Sequence, residues 1–128
     1  IYADGQMRLA AIRTEHIRRG EVPTYAYSLE AGGSRVLFTG DLSSDFHDFP
    51  AVADPLDLCL CEATHADISL ILAALSRAPL RRLVLTHIGP LWDGGREDEL
   101  LAAASVLPYP VEVARDGSEF AVADVPSA

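Results

Sequence analysis

Three polar residues stand where apolar runs of the chain stop. His16 follows Met7-Arg8-Leu9-Ala10-Ala11-Ile12-Arg13, Asp41 follows Val36-Leu37-Phe38, and His87 follows Leu83-Val84-Leu85. Two imidazoles and a carboxylate are a donor set for zinc, or for manganese and iron(II) when more oxygen ligands join. Taken singly, each histidine reads as a hydrogen-bonded structural residue, and Asp41, directly after Gly40, reads as a turn or cap residue. Their joint placement at strand ends, where α/β sheets gather ligands, favours a shared site. A second cluster, Glu62 and His65, lies in Cys61-Glu62-Ala63-Thr64-His65, just past one apolar run and just before a helical pattern. Thr64 or Asp67 is suited to cap that helix, and the positive end of its dipole favours a neutral His65 ring able to relay a proton.

Other reactive residues carry less weight. Cys59 and Cys61 are two apart on an apolar run, closer than a usual zinc pair and poorly placed for a disulfide, so they read as reduced core thiols. His47, in Phe46-His47-Asp48, reads as a surface residue. There is no Gly-x-Ser-x-Gly elbow, no glycine-rich loop ahead of a Lys-Thr or Lys-Ser pair, and no paired-cysteine zinc knuckle. Serine nucleophiles and P-loop nucleotide chemistry lose their basis.

The elements that must position these residues alternate between strand and helix. Met7 to Arg13 is a strand, and Gly20 and Pro23 mark the loop after it. Thr24-Tyr25-Ala26-Tyr27-Ser28-Leu29 and Arg35-Val36-Leu37-Phe38-Thr39, joined through Ala31-Gly32-Gly33-Ser34, form a hairpin. Leu56 to Cys61 is a buried strand, and residues 67–77 carry apolar positions at helical spacing until Pro79. Leu83-Val84-Leu85 is another strand, residues 96–106 a second helix, and Val111-Glu112-Val113-Ala114 with Phe120-Ala121-Val122 a closing hairpin. The reading is a single α/β unit over residues 1–128, with a mixed sheet and helices on one face.

Composition limits what such a unit can do. The 128 residues are 49% hydrophobic, enough for a core, and their formal charge of −9 excludes a general nucleic-acid coat protein. No apolar run is long enough to span a bilayer, so no membrane association is expected. The first residues hold no basic stretch followed by an apolar one, so no signal peptide is expected. A cytoplasmic location and a start inside a longer product are.

The ordered motifs resemble the metallo-β-lactamase fold, in its ribonuclease Z and phosphodiesterase-like branch. His16-Ile17-Arg18-Arg19-Gly20-Glu21-Val22-Pro23-Thr24-Tyr25-Ala26-Tyr27 resembles that branch's third metal motif, Val36-Leu37-Phe38-Thr39-Gly40-Asp41 the fourth, and Leu83-Val84-Leu85-Thr86-His87 the fifth. Glu62-Ala63-Thr64 and His65 resemble its Glu-Ala-Thr element and assisting histidine, although the family usually inserts a loop between them. Val111 to Gly117 resembles its closing hairpin. The family's His-x-His-x-Asp-His signature occurs nowhere in the chain, so the match is to the C-terminal half of a two-half αββα sandwich, with the N-terminal half absent.

The resemblance implies a metal-dependent hydrolase with two zinc ions in its complete site. His16 would hold the first, His87 the second, and Asp41 both. His65 would donate a proton to the leaving alkoxide and Glu62 would orient its ring. The implied substrate is a phosphodiester, either RNA in 3′-processing or a small or cyclic one, with other ester or lactam hydrolysis less favoured. The rival expectation is a non-catalytic half-domain whose exposed apolar sheet face associates with a partner chain, with the missing N-terminal half, or with a second copy.

Overall fold

A computed structural model describes residues 2–17 and 21–122. The described strands are β1 (Tyr2–Ala3), β2 (Met7–Thr14), β3 (Thr24–Ala31), β4 (Ser34–Phe38), β5 (Leu58–Glu62), β6 (Leu83–Thr86) and β7 (Val111–Val113). The helices are α1 (Ile68–Arg77), α2 (Gly89–Trp92) and α3 (Glu97–Ala104). All seven strands form one sheet in sequence order. The Gly20 part of the expected loop lies outside the described residues.

The hairpin signal is met by β3 and β4, whose register runs from Tyr27 opposite Phe38 to Ala31 opposite Ser34. Gly32 and Gly33 between them both take positive φ, 57° and 81°, which a two-residue turn of this hand requires. From β4 onward the pairing is parallel. Because β2 and β4 are each antiparallel to β3, β2 runs the same way as β4 through β7. The ends of β2, β4, β5 and β6 that lead to His16, Asp41, Glu62 and His87 therefore share one sheet edge.

Successive parallel strands added in one direction by right-handed crossovers put every crossover on the same face. That face carries the core. Ala26, Leu37, Cys59, Cys61, Leu83 and Leu85 lie on it, packed with Ile71 and Leu75 of α1 and Leu100 and Ala104 of α3. Cys59 and Cys61 are free thiols within it, and burial pushes Cys59 up to about 12 and Cys61 well above its ordinary value, which removes them as thiolate ligands. Asp67 caps α1 by accepting from the Ser69 N–H at 2.8 Å, and the helix stops ahead of Pro79.

The opposite face bears Tyr25, Tyr27 and Phe38, which are 42%, 41% and 44% exposed. The expected second hairpin does not form. Residues 115–118 turn as anticipated, with the Ser118 N–H on the Arg115 carbonyl, but Phe120-Ala121-Val122 pairs with no strand. The segment meets Arg82 instead, which donates to the Ala121 carbonyl at 3.1 Å and lies over the Phe120 ring. No helix among the described residues is long and apolar enough to cross a membrane.

Candidate metal centre

The residues following these four strands converge. His16 lies two residues past β2, and its Nδ1 is 2.9 Å from the Leu42 carbonyl. A carbonyl only accepts, so Nδ1 carries the proton and Nε2 is left as an electron-pair donor. Nε2 stands 3.8 Å from Asp41 Oδ2. The other carboxylate oxygen, Oδ1, is 2.9 Å from His87 Nδ1. Asp41 thus presents one oxygen to each of two imidazoles.

Glu62 is the buried support beneath them, 1% exposed. Its carboxylate accepts the Leu42 N–H at 3.0 Å, the Thr64 N–H at 2.7 Å and the His65 N–H at 3.0 Å. It also accepts from His65 Nδ1 at 3.0 Å. His65 therefore has its Nδ1 proton committed and its Nε2 free, the same arrangement as in His16. His65 lies two residues before the Asp67 cap rather than in the first turn of α1, so Glu62 orients it and the helix end does not. Its ring centroid is 4.3 Å from that of His16 and 5.0 Å from that of His87.

Thr64, one of the two candidate caps, does something else. Its hydroxyl donates to the carbonyl of His87. His87 holds a positive φ of 45°, and Gly89 follows with φ 64°. A Cβ at position 89 would come within 2.6 Å of Thr64 Oγ1, so glycine is needed there on two grounds. This short strap, together with Asp41, sets the direction of His87.

One donor atom each from His16, Asp41 and His65 lie within 4.8 Å of one another, a spacing that could hold a metal ion. His87 joins through Asp41. His16, with Nδ1 engaged and Nε2 free beside the Asp41 carboxylate, fits a divalent cation, because outer hydrogen bonds of this kind fix the tautomer that a metal requires, and His65 Nε2 stands next to them. Neither the inclusion of His65 in the tight group nor the fourfold load on Glu62 was visible in the sequence. The only local signal was the spacing of Glu62, Thr64 and His65, which lets one carboxylate reach successive N–H groups of a turn.

His47, expected to be an ordinary surface residue, is half exposed but engaged at both nitrogens. Nε2 lies 2.7 Å from Glu15 Oε2 and Nδ1 bonds Asp45. Two carboxylates accept from one ring, so both nitrogens are protonated and the ring is a cation. The hydrogen bond that the ring donates to Asp45, then the one it donates to Glu15, raises its pKa to about 9.

No protein-family model and no curated protein sequence matches this chain. Solved structures do. The metallo-β-lactamase fold protein YhfI from Bacillus subtilis superposes with a TM-score of 0.72 and 23% identity, over 91% of this chain and 49% of that one. A protein described as a metal-dependent hydrolase from Parabacteroides distasonis superposes with a TM-score of 0.65 and 20% identity, over 84% of this chain and 50% of that one. The chain spans about half the length of these structures. Its mixed sheet, with crossovers on one face and polar residues collected at one edge, is the metallo-β-lactamase fold.

Proposed function

We propose that the chain contributes to a metal-dependent hydrolase acting on phosphodiesters, in the ribonuclease Z and phosphodiesterase-like branch of this fold. The observation that carries the reading is Asp41 set between His16 and His87, with His65 and its buried Glu62 beside them. His16, Asp41 and His87 would hold zinc. Bound zinc makes water nucleophilic near neutral pH and offsets charge on a phosphoryl oxygen, which lets an acidic protein act on an anionic ester.

The chain's own residues supply the proton. With Nδ1–H on Glu62, the His65 ring takes a proton at Nε2 from solvent and gives it to the leaving alkoxide as the alkoxide's bond to phosphorus breaks and the oxygen of the attacking water, its own proton lost to solvent, forms the new one. Glu62 holds the ring in one orientation in both states.

The chain is further proposed to be one half of a two-half domain. Both solved relatives are about twice the length of their match, and the sheet face opposite the core presents Tyr25, Tyr27 and Phe38 to solvent. Aromatic residues exposed together on one sheet face support an association surface there. The half alone is expected to bind zinc weakly and hydrolyse nothing efficiently, and a cytoplasmic setting goes with this reading.

Assays of the 128-residue chain, and of a longer product that carries it, on bis(p-nitrophenyl) phosphate and a cyclic nucleotide with zinc or manganese test the reading. Metal-dependent hydrolysis by the longer product that chelation abolishes is expected. Turnover of a lactam or carboxylic ester with none of a phosphodiester would remove the substrate assignment. Tight binding of two zinc ions by the isolated chain would remove the half-site assignment.

A further inference from the structure

The two ligand-bearing segments that meet at the metal centre are also joined behind it. Asp48 Oδ2 accepts the Glu15 N–H at 2.7 Å, next to His16. The same carboxylate accepts the Ser43 N–H, at 3.0 Å to Oδ1 and 3.1 Å to Oδ2, two residues past Asp41. The Ser43 hydroxyl adds a contact of 2.6 Å to Oδ1. Burial opposes the ionised form of Asp48, but the Ser43 hydroxyl and the backbone N–H groups of Glu15 and Ser43 outweigh it and hold the carboxyl below its ordinary range.

Nothing about this arrangement follows from strand pairing. β2 and β4 are separated by β3, so residues 15 and 43 have no ladder bond to each other. The loop that carries Asp48 is itself anchored, because Phe46 takes a positive φ of 59° and buries its ring in the core, 4% exposed. His47 closes the outside of the same knot, from Asp45 to Glu15.

We propose that Asp48 is a positioning residue for His16. Its carboxylate ties the segment carrying His16 to the segment carrying Leu42, and so keeps the His16 Nδ1–H on the Leu42 carbonyl and Nε2 toward Asp41. Without the tie, the Leu42 carbonyl and the ring can drift apart, and the ring loses the bond that selects its tautomer. The consequence for metal affinity rests on the metal-centre reading, whereas the state of the ring does not.

Asp48→Asn tests this in the full chain, because it keeps the size of the side chain but sets an NH2 donor against an N–H donor. The readout is the imidazole nitrogen spectrum of the labelled, metal-free protein at about pH 8, where an unperturbed imidazole is neutral. Wild-type His16 is expected as a single Nδ1–H tautomer, and the variant as a mixture shifted toward Nε2–H. Zinc affinity, measured by competition with a chromophoric chelator, is expected to fall roughly 10-fold, the lower end of losses for outer hydrogen-bond partners. That fall should persist at high salt, which screens a mere change of surface charge. Amide hydrogen exchange of the unaltered chain covers the case of a variant that does not fold. The Glu15 amide should be protected together with that of Ser43. An unchanged His16 tautomer in Asp48→Asn, or an unprotected Glu15 amide in the wild type, would overturn the proposal. A locked ring that Asp48→Asn releases, with no zinc bound even by a longer product that carries the chain, supports the positioning role and removes the metal-centre reading.

Discussion

The carboxylate of Asp41 and the ring of His87, which lie 46 positions apart in the chain, meet at 2.9 Å. The contact joins the segments that follow β4 and β6, two strands separated by β5. It leaves the second oxygen of Asp41 for His16, at 3.8 Å from Nε2. His87→Ala in the complete protein should therefore lower metal content and hydrolysis together, with zinc affinity falling by roughly 10-fold or more. Elemental analysis after dialysis, set beside rates measured on the same samples, checks this. Full metal content with lost activity would place His87 outside the ligand set.

His65 separates binding from proton transfer. His65→Ala should leave metal content unchanged and lower kcat on a poor leaving group by roughly 10²–10⁴-fold, with a smaller loss on a nitrophenyl ester that needs little protonation. An equal loss on both substrates, or a loss of metal, would instead make His65 a ligand, which its place within 4.8 Å of the donors of His16 and Asp41 permits.

Glu62 serves the fold as well as the site. Glu62→Gln turns one acceptor oxygen into a donor facing N–H groups from Leu42, Thr64 and His65. It should destabilise the protein by about 1–3 kcal/mol, the cost of leaving buried polar groups unsatisfied. Urea unfolding should show a lower midpoint with an unchanged slope.

His47 sets a pH window. Its pKa is raised in the folded protein to about 9 by Asp45 and Glu15, against about 6.5 in an unfolded chain. The stability it contributes is complete below about pH 6.5 and is lost as the pH rises through about 9. Thermal unfolding midpoints should fall across that interval. In His47→Gln the fall should be absent, and in the wild type added salt should reduce it, because the ring is exposed. A midpoint that rises between these pH values would contradict the assignment.

Much of the fold was legible in the chain because its signals are local. Apolar alternation marked β2 and β3, Gly32 and Gly33 marked the turn, helical spacing up to Pro79 marked α1, and a polar residue after each apolar run marked the sheet edge. The closing hairpin was misread for the same reason. Its strand and turn pattern is indistinguishable locally from a true hairpin, and the contacts that Phe120 and Ala121 make instead, with the Arg82 guanidinium just ahead of β6, are distant in the chain.

What tertiary structure alone decided are relationships between distant residues. The sequence determined that His16, Asp41, Glu62, His65 and His87 stand at or after the ends of strands. It did not determine that Glu62 gathers N–H groups from two loops, that Thr64 straps His87 instead of capping α1, or that His47 and Asp48 reach back to Glu15. These contacts depend on strand order, on register and on the side to which each crossover turns. Those quantities are set by the packing of the whole sheet against α1 and α3, so no short window of residues contains them.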